Sequence, residues 1–260
     1  MTHRRAVVQG LQLSNIRSGE LAAFWIPCME SVKRWAARND WSYHFFNEAI
    51  DPFDVQTLLQ LQYHRVDPST RNGQFYKLQW VNSVCDQYDE ILWLDSDIYI
   101  WGNPCLPNNE FHNLKCMYTN HMYAWRRPNF SIFWSSSDTL REMHEWNNRM
   151  LFNPSERGEI YSCLLTLARH NCLEGDVEFH DEVAFIDWTE THADRVTIIP
   201  YKTEQHPTSD CNWAFTDSYL LECCKPDSFL HICDYPKQNL LQRFLAYKAY
   251  HAFTHQGKVN

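Results

Sequence analysis

The feature that most constrains the fold is an apolar run in the middle of the chain that leads into two aspartates. Residues 90–100 read EILWLDSDIYI. A continuous apolar run that begins and ends at charged residues is typical of a strand covered on both faces. The run therefore predicts a strand at the centre of a sheet, with Asp95 and Asp97 at its carboxyl end.

The rest of the chain alternates between segments with the periodicity of strands and segments with the periodicity of helices. Further strands are predicted at residues 7–13, 42–47, 114–118, 130–134 and 196–200, and helices at residues 20–38, 74–86, 138–151, 160–170 and 238–253. This alternation predicts an α/β fold with a mixed, mostly parallel sheet flanked by helices. The 260 residues contain no internal repeat, low-complexity tract or linker, so we expect a single domain over residues 1–260.

Charge and composition exclude some classes of protein. The formal net charge is −9 at pH 7, and no run of Lys and Arg is longer than a pair, whereas a nucleic-acid binder needs a basic surface. No apolar stretch approaches the length of a membrane span. The ten cysteines lie in a chain far longer than the small secreted domains that depend on disulfides. We therefore expect a cytoplasmic protein with reduced thiols, without a nucleic-acid partner and without a membrane span.

The two aspartates are candidates for metal binding. Residues i and i+2 of an extended backbone point the same way, so Asp95 and Asp97 would face one crevice at the carboxyl end of the strand. Two such carboxylates can bind a hard divalent cation whose other positions are taken by pyrophosphate oxygens. The alternative is a solvated junction between a strand and a turn.

The segment around the aspartates resembles the Asp-x-Asp segment of glycosyltransferases with the GT-A fold. The resemblance continues in the stretches NFSIF at residues 129–133, HDEVAF at residues 180–185 and FLHICDYPK at residues 229–237. In particular, the chain resembles single-domain viral glycosyltransferases of capsid glycans and bacterial ones for surface polysaccharides. If viral, the chain would be expected in the host cytoplasm. The resemblance implies a GT-A-like fold and transfer of a sugar from a nucleotide diphosphate, a UDP-sugar, to a glycan, a glycoprotein or another hydroxyl acceptor.

The resemblance also implies roles for particular residues. A bound Mn²⁺ or Mg²⁺ would have Asp95, Asp97 and His231 as ligands. The donor would be bound by residues on several elements, namely Gln9, Gly10, Leu11, Lys77, Asp95, Ser96 and Lys237. Asn129 would lie on the acceptor side, and Asp181 and Glu182 would act in catalysis.

Each assignment has an alternative. His231 could be a hydrogen-bonded structural residue, and Asp181 and Glu182 could lie at a helix N-terminus, where acidic side chains are stabilising. A nucleotidyltransferase acting on sugar phosphates would also use paired carboxylates, but residues 10–19 lack the Gly-rich, basic signature expected of one. A non-catalytic carbohydrate-binding protein would use the aromatic side chains, which make up 15% of the chain.

Overall fold

The structure is a computed structural model. It describes residues 3–11, 21–47, 77–106, 112–120, 126–159, 180–199, 212–215, 227–232, 241–242 and 244–246. Within these ranges, only the backbone is described for residues 117–120, 126–129, 151–152, 154, 180–183, 199 and 212–215. The chain forms two compact units that are interleaved in sequence: the first comprises residues 1–15, 40–94 and 108–199, and the second comprises residues 16–39, 95–107 and 200–260. One of the passages from the first to the second lies between Leu94 and Asp95. The expectation of a single domain stays a prediction.

The described strands and helices alternate over residues 5–94, as the sequence indicates, and further along the chain several strands follow one another without a described helix between them. The strands are, in chain order, β1 (Arg5–Gly10), β2 (Ser42–Phe46), β3 (Glu90–Leu94), β4 (Ile98–Trp101), β5 (Leu114–Asn120), β6 (Arg126–Ser136), β7 (Val196–Ile199), β8 (Asn212–Phe215) and β9 (Ser228–His231). The α-helices are α1 (Ile26–Arg38), α2 (Lys77–Val84), α3 (Ser137–Phe152) and α4 (His180–Thr191). A π-helical turn, Leu21–Trp25, precedes α1, and 3-10 turns lie at Pro154–Glu156 and Ala193–Arg195.

The first unit is built on a six-stranded sheet with the order β2-β1-β3-β6-β5-β7. The parallel pairs β1–β2, β1–β3 and β5–β7 outnumber the antiparallel pairs β3–β6 and β5–β6. Strand β3 has a neighbour on each side, and its residues 91–94 are buried. The mixed, mostly parallel sheet and its central apolar strand are therefore confirmed.

A row of stacked aromatic rings runs through the core of the first unit. Trp80 of α2 lies between Phe46 and Trp93, with ring centroids 6.2 Å and 6.1 Å apart. The row continues from Trp93 to Phe133 at 6.3 Å. Gly10, at the end of β1, makes room for this row, because a Cβ atom there would overlap the ring of Trp80. This glycine has a packing role that is independent of any ligand.

We expect Gly10→Ala to destabilise the protein by about 1–3 kcal/mol, the usual effect of overpacking a core. Trp80 is 1% exposed, so its ring has little room to move away from the added methyl group. The control is Gly158→Ala, since a Cβ atom at Gly158 would have no neighbour within 4 Å. Thermal unfolding measures both variants. Equal melting temperatures for the two variants would show that Gly10 is not needed for packing.

The second unit contains a three-stranded sheet with the order β4-β9-β8 and the helix α1. Pro27 lies in the first turn of α1, a position that proline tolerates because no intrahelical donor is lost. The buried face of α1 carries Cys28, Val32 and Trp35 at helical spacing. The helix predicted at residues 20–38 is present as the π-helical turn followed by α1.

The apolar run at residues 90–100 forms two strands rather than one. Strand β3 ends at Leu94, and β4, which begins at Ile98, belongs to the other sheet. The first strand, predicted at residues 7–13, ends at Gly10. The predicted helix at residues 160–170 lies outside the described residues. Of the helix predicted at residues 238–253, the structure describes residues 241–242 and 244–246, and these are helical. Among the helices that are described, none has the length and apolar character needed to cross a membrane.

Candidate functional site

A tight turn carries the two aspartates. The backbone N–H of Ile98 donates to the carbonyl of Asp95 at 3.1 Å, so Asp95, Ser96 and Asp97 lie in a turn between β3 and β4. This differs from the extended backbone expected from the sequence. The carboxylates come together because the chain turns, and not because side chains alternate along a strand.

Three side chains in the second unit bring candidate metal ligands together. One ligand atom from each of Asp95, Asp97 and His231 lies within 4.8 Å of the others. The Nε2 atom of His231 is 3.2 Å from Oδ1 of Asp97. Both of these residues are buried, at 7% and 8% exposed, whereas Asp95 is partly exposed. The structure thus brings together the three residues that the sequence predicted as metal ligands.

The strand pairing explains why His231 lies beside the turn although it is far away in the sequence. Strands β4 and β9 are antiparallel, and Ile98 is paired with His231. One residue beyond each strand, the N–H of Ile232 donates to the carbonyl of Asp97 at 3.1 Å. The backbone of Asp97 is therefore attached directly to the strand that carries the histidine.

This set of donor atoms fits a divalent cation. Carboxylate oxygens are the ligands that Mg²⁺ and Mn²⁺ prefer, and neutral imidazole is a common third ligand in metal sites. Three protein ligands leave coordination positions for ligand oxygens. Without a metal, the contact between His231 and Asp97 would be a buried charged or hydrogen-bonded pair, which is the structural alternative.

Two of the described cysteines do not offer comparable ligands. Cys85 and Cys116 are both buried. Burial raises the pKa of Cys85 to about 11 and also raises the pKa of Cys116. Because the thiolate is the form that binds metals and acts as a nucleophile, these two thiols are inert near neutral pH.

The predicted donor-binding residues at the end of β1 lie in the first unit. Gln9 is fully buried, and its side-chain oxygen accepts a hydrogen bond from the hydroxyl of Tyr43 at 3.0 Å. The N–H of Leu11 donates to the carbonyl of Phe46 at 2.9 Å. Tyr43 was not among the predicted site residues. Its one sequence signal is the polar Gln9 in an otherwise apolar strand, because a buried polar side chain needs a hydrogen-bond partner.

Lys77 is the first residue of α2, also in the first unit. Its ammonium group lies 4.9 Å from the centroid of the Phe130 ring, within the range of a cation–π contact. This contact holds the charged group near an aromatic surface. It neither requires nor excludes a further contact with a phosphate.

The remaining predicted site residues are described only in part. Asn129 lies in β6, opposite Met117, where the register of the β5–β6 pair shifts. Asp181 and Glu182 lie in the first described turn of α4, and the roles predicted for them stay predictions. The side chains of all three lie outside the described part, and so does the whole of Lys237. Ser96 is buried within the turn between the two aspartates.

No protein-family model matches the sequence, and no curated protein does. Among solved structures, the chain is similar to a glycosyltransferase involved in the glycosylation of the major capsid of PBCV-1. The two share 12% identity over 94% of this chain and 99% of that chain, with a TM-score of 0.56. The likeness establishes the fold, and the GT-A-like fold expected from the sequence is confirmed.

Two other structures match less well. One is the galactosyltransferase LgtC in complex with donor and acceptor sugar analogs, at 10% identity over 93% of this chain and 95% of that chain, with a TM-score of 0.45. The other is a Drosophila β1,4-galactosyltransferase 7 in complex with manganese, UDP-Gal and xylobiose, at 11% identity over 55% of this chain and 52% of that chain, with a TM-score of 0.30. These TM-scores are too low to establish a common fold.

Proposed function

We propose that this chain is a metal-dependent glycosyltransferase that moves a sugar from a UDP-sugar to a hydroxyl group of a glycan, a glycoprotein or another acceptor. The observation that carries the proposal is the cluster of Asp95, Asp97 and His231 in a chain that shares its fold with a glycosyltransferase. The same cluster on an unrelated fold would support only metal binding. We expect the protein in the cytoplasm.

In this reaction the acceptor oxygen forms a bond with the anomeric carbon of the sugar, and the bond from that carbon to the phosphate oxygen breaks. The nucleoside diphosphate leaves, and the acceptor loses its proton. Asp95, Asp97 and His231 would hold Mn²⁺ or Mg²⁺. When bound, such a cation neutralises the negative charge that develops on the departing diphosphate.

The other assignments belong to the same proposal and rest on the resemblance in sequence. Gln9, Gly10 and Leu11 contact the nucleoside, and Ser96 contributes to donor binding. Lys77 and Lys237 add positive charge near the diphosphate, which stabilises the charge that develops there. Asn129 lies on the acceptor side.

Asp181 is our candidate for the carboxylate that accepts the proton or stabilises the positive charge at the anomeric carbon, with Glu182 next. We expect Asp181→Asn to lower turnover by about 100-fold or more, the usual contribution of a general base, with little change in donor affinity. Asparagine keeps the size of the side chain and is tolerated at a helix start, so α4 should remain intact. Calorimetry and turnover measured on the same variant test this.

The matched control is Glu190→Gln, which removes an exposed carboxylate from the same helix. It should leave turnover and donor affinity unchanged. If Asp181→Asn instead lowers the melting temperature and the donor affinity while turnover per bound donor is unchanged, Asp181 is only a helix-stabilising residue. Glu182 is then the carboxylate to replace.

A thermal-shift panel of UDP-, GDP- and dTDP-sugars with Mn²⁺ tests the proposed donor. A ligand that binds the folded chain at a concentration 100 times its Kd stabilises it by about 2.7 kcal/mol. We expect UDP-sugars to raise the melting temperature in Mn²⁺ and to lose most of that effect in EDTA. Stabilisation by free glycans but by no nucleotide sugar would instead indicate a carbohydrate-binding protein.

A further inference from the structure

The pair of strands β4 and β9 has two ends, and only one of them carries metal-ligand candidates. The register runs from Ile98 opposite His231 to Trp101 opposite Ser228. At the far end, the next residue on each strand has a left-handed backbone, with φ of 76° at Gly102 and 63° at Asp227. We call Gly102, Asn103 and Asp227 the clasp.

The contacts within the clasp leave little freedom. The carboxylate oxygen Oδ1 of Asp227 accepts a hydrogen bond from the backbone N–H of Asn103 at 2.6 Å. Gly102 faces Asp227 so closely that a Cβ atom on Gly102 would overlap it. The side chain of Asn103 in turn accepts a hydrogen bond at 2.7 Å from the side chain of Asn39, which follows α1. The clasp thus connects the ends of both strands to the end of the helix.

The register of β9 on β4 determines which residue stands beside Asp97. Side chains alternate along a strand, so a slip of β9 by one residue would send every side chain to the opposite face. Leu230 or Ile232 would then lie opposite Ile98 in place of His231. Neither can bind a metal, and the contact of 3.2 Å between His231 and Asp97 would be lost.

We propose that Asp227 is a positioning residue that fixes the register of β9 on β4 and thereby sets the affinity of Asp95, Asp97 and His231 for a divalent cation. This inference rests on the metal site of the proposed function. It adds a residue at the opposite end of the strand pair, which makes no contact with the cation.

Mn²⁺ affinity without nucleotide, measured from the electron paramagnetic resonance signal of free Mn²⁺, tests the inference. A changed register would remove His231 from the site. Loss even of a side chain that only hydrogen-bonds to a metal ligand weakens metal sites by about 10–100-fold, so we expect Asp227→Ala to bind Mn²⁺ about 10-fold or more weakly. Asp227→Gly keeps the left-handed backbone and removes only the carboxylate, so it should show the same loss. Asp227→Asn keeps an acceptor oxygen and tolerates a positive φ, so it should bind Mn²⁺ like the unaltered chain.

Asp89→Ala is the matched control. Asp89 is an exposed carboxylate in the first unit that accepts a hydrogen bond from the backbone N–H of Arg4 at 2.8 Å, as Asp227 does from Asn103. Its replacement removes the same kind of contact but should leave Mn²⁺ affinity unchanged. The inference is overturned if Asp227→Gly binds Mn²⁺ as tightly as the unaltered chain, or if Asp89→Ala loses as much affinity. An unaltered chain that binds no Mn²⁺ would overturn the proposed metal site, and this inference with it.

Discussion

Asp97→Ala is expected to remove metal-dependent turnover of a nucleotide sugar while the fold stays intact. The Asp97 side chain is buried, 3.2 Å from the His231 imidazole, so alanine removes one of the three proposed ligands. A catalytic cation supplies several kcal/mol of transition-state stabilisation, and each 1.4 kcal/mol is a factor of ten, so turnover should fall by about 1,000-fold or more. The backbone hydrogen bond from Ile232 to the Asp97 carbonyl does not involve the side chain and should survive.

The matched control is Asp86→Ala. Asp86 is an exposed carboxylate that pairs with Arg141 at 2.9 Å, and exposed ion pairs contribute little to stability. Release of nucleoside diphosphate in Mn²⁺ should be unchanged in this variant. Near-normal release by Asp97→Ala would show that the metal assignment is wrong.

His231→Ala is expected to weaken binding of UDP in Mn²⁺ far more than in EDTA. Loss of a side chain that only hydrogen-bonds to a metal ligand lowers metal affinity by about 10–100-fold, so loss of a ligand itself should lower it by at least as much. In EDTA there is no cation for the histidine to bind, so the substitution should change UDP affinity little. Calorimetric titration of UDP under the two conditions measures the difference.

His192→Ala is the control for this histidine. His192 stacks on Trp188 at 4.6 Å in the first unit, so its loss should lower the melting temperature without changing the dependence on Mn²⁺. Equal losses of UDP affinity in Mn²⁺ and in EDTA for His231→Ala would identify His231 as a structural residue that forms a buried pair with Asp97.

The sequence predicted the sheet of the first unit well because its strongest signals are local. The run of apolar residues at 91–94 is buried on both sides, as such a run requires. The sequence did not predict that the chain changes sheets after Leu94, because the residues of β4 are as apolar as those of β3. The turn at Asp95, whose carbonyl accepts the N–H of Ile98, separates the two strands. Aspartate and serine favour turns, so the sequence offered this turn as an alternative to an extended backbone, but it did not show that the next strand joins another sheet.

The candidate site depends on contacts between residues that are distant in the chain. His231 was predicted as a ligand from a resemblance, and the pairing of β9 with β4 is what brings it to Asp97. The close packing of Gly10 against Trp80 has no sequence signal, because one glycine after a strand is common. The left-handed backbone of Asp227 could not be predicted from the sequence either, since aspartate also occurs in ordinary turns.

The most direct test of the central claim is release of nucleoside diphosphate from the UDP-sugar that stabilises the chain most, measured with an acceptor present. We predict release and transfer of the sugar in Mn²⁺, loss of both when EDTA removes the cation, and recovery when Mn²⁺ is added in excess. Release that continues unchanged in EDTA would contradict the role assigned to Asp95, Asp97 and His231. Absence of release from every nucleotide sugar that binds would contradict glycosyl transfer itself.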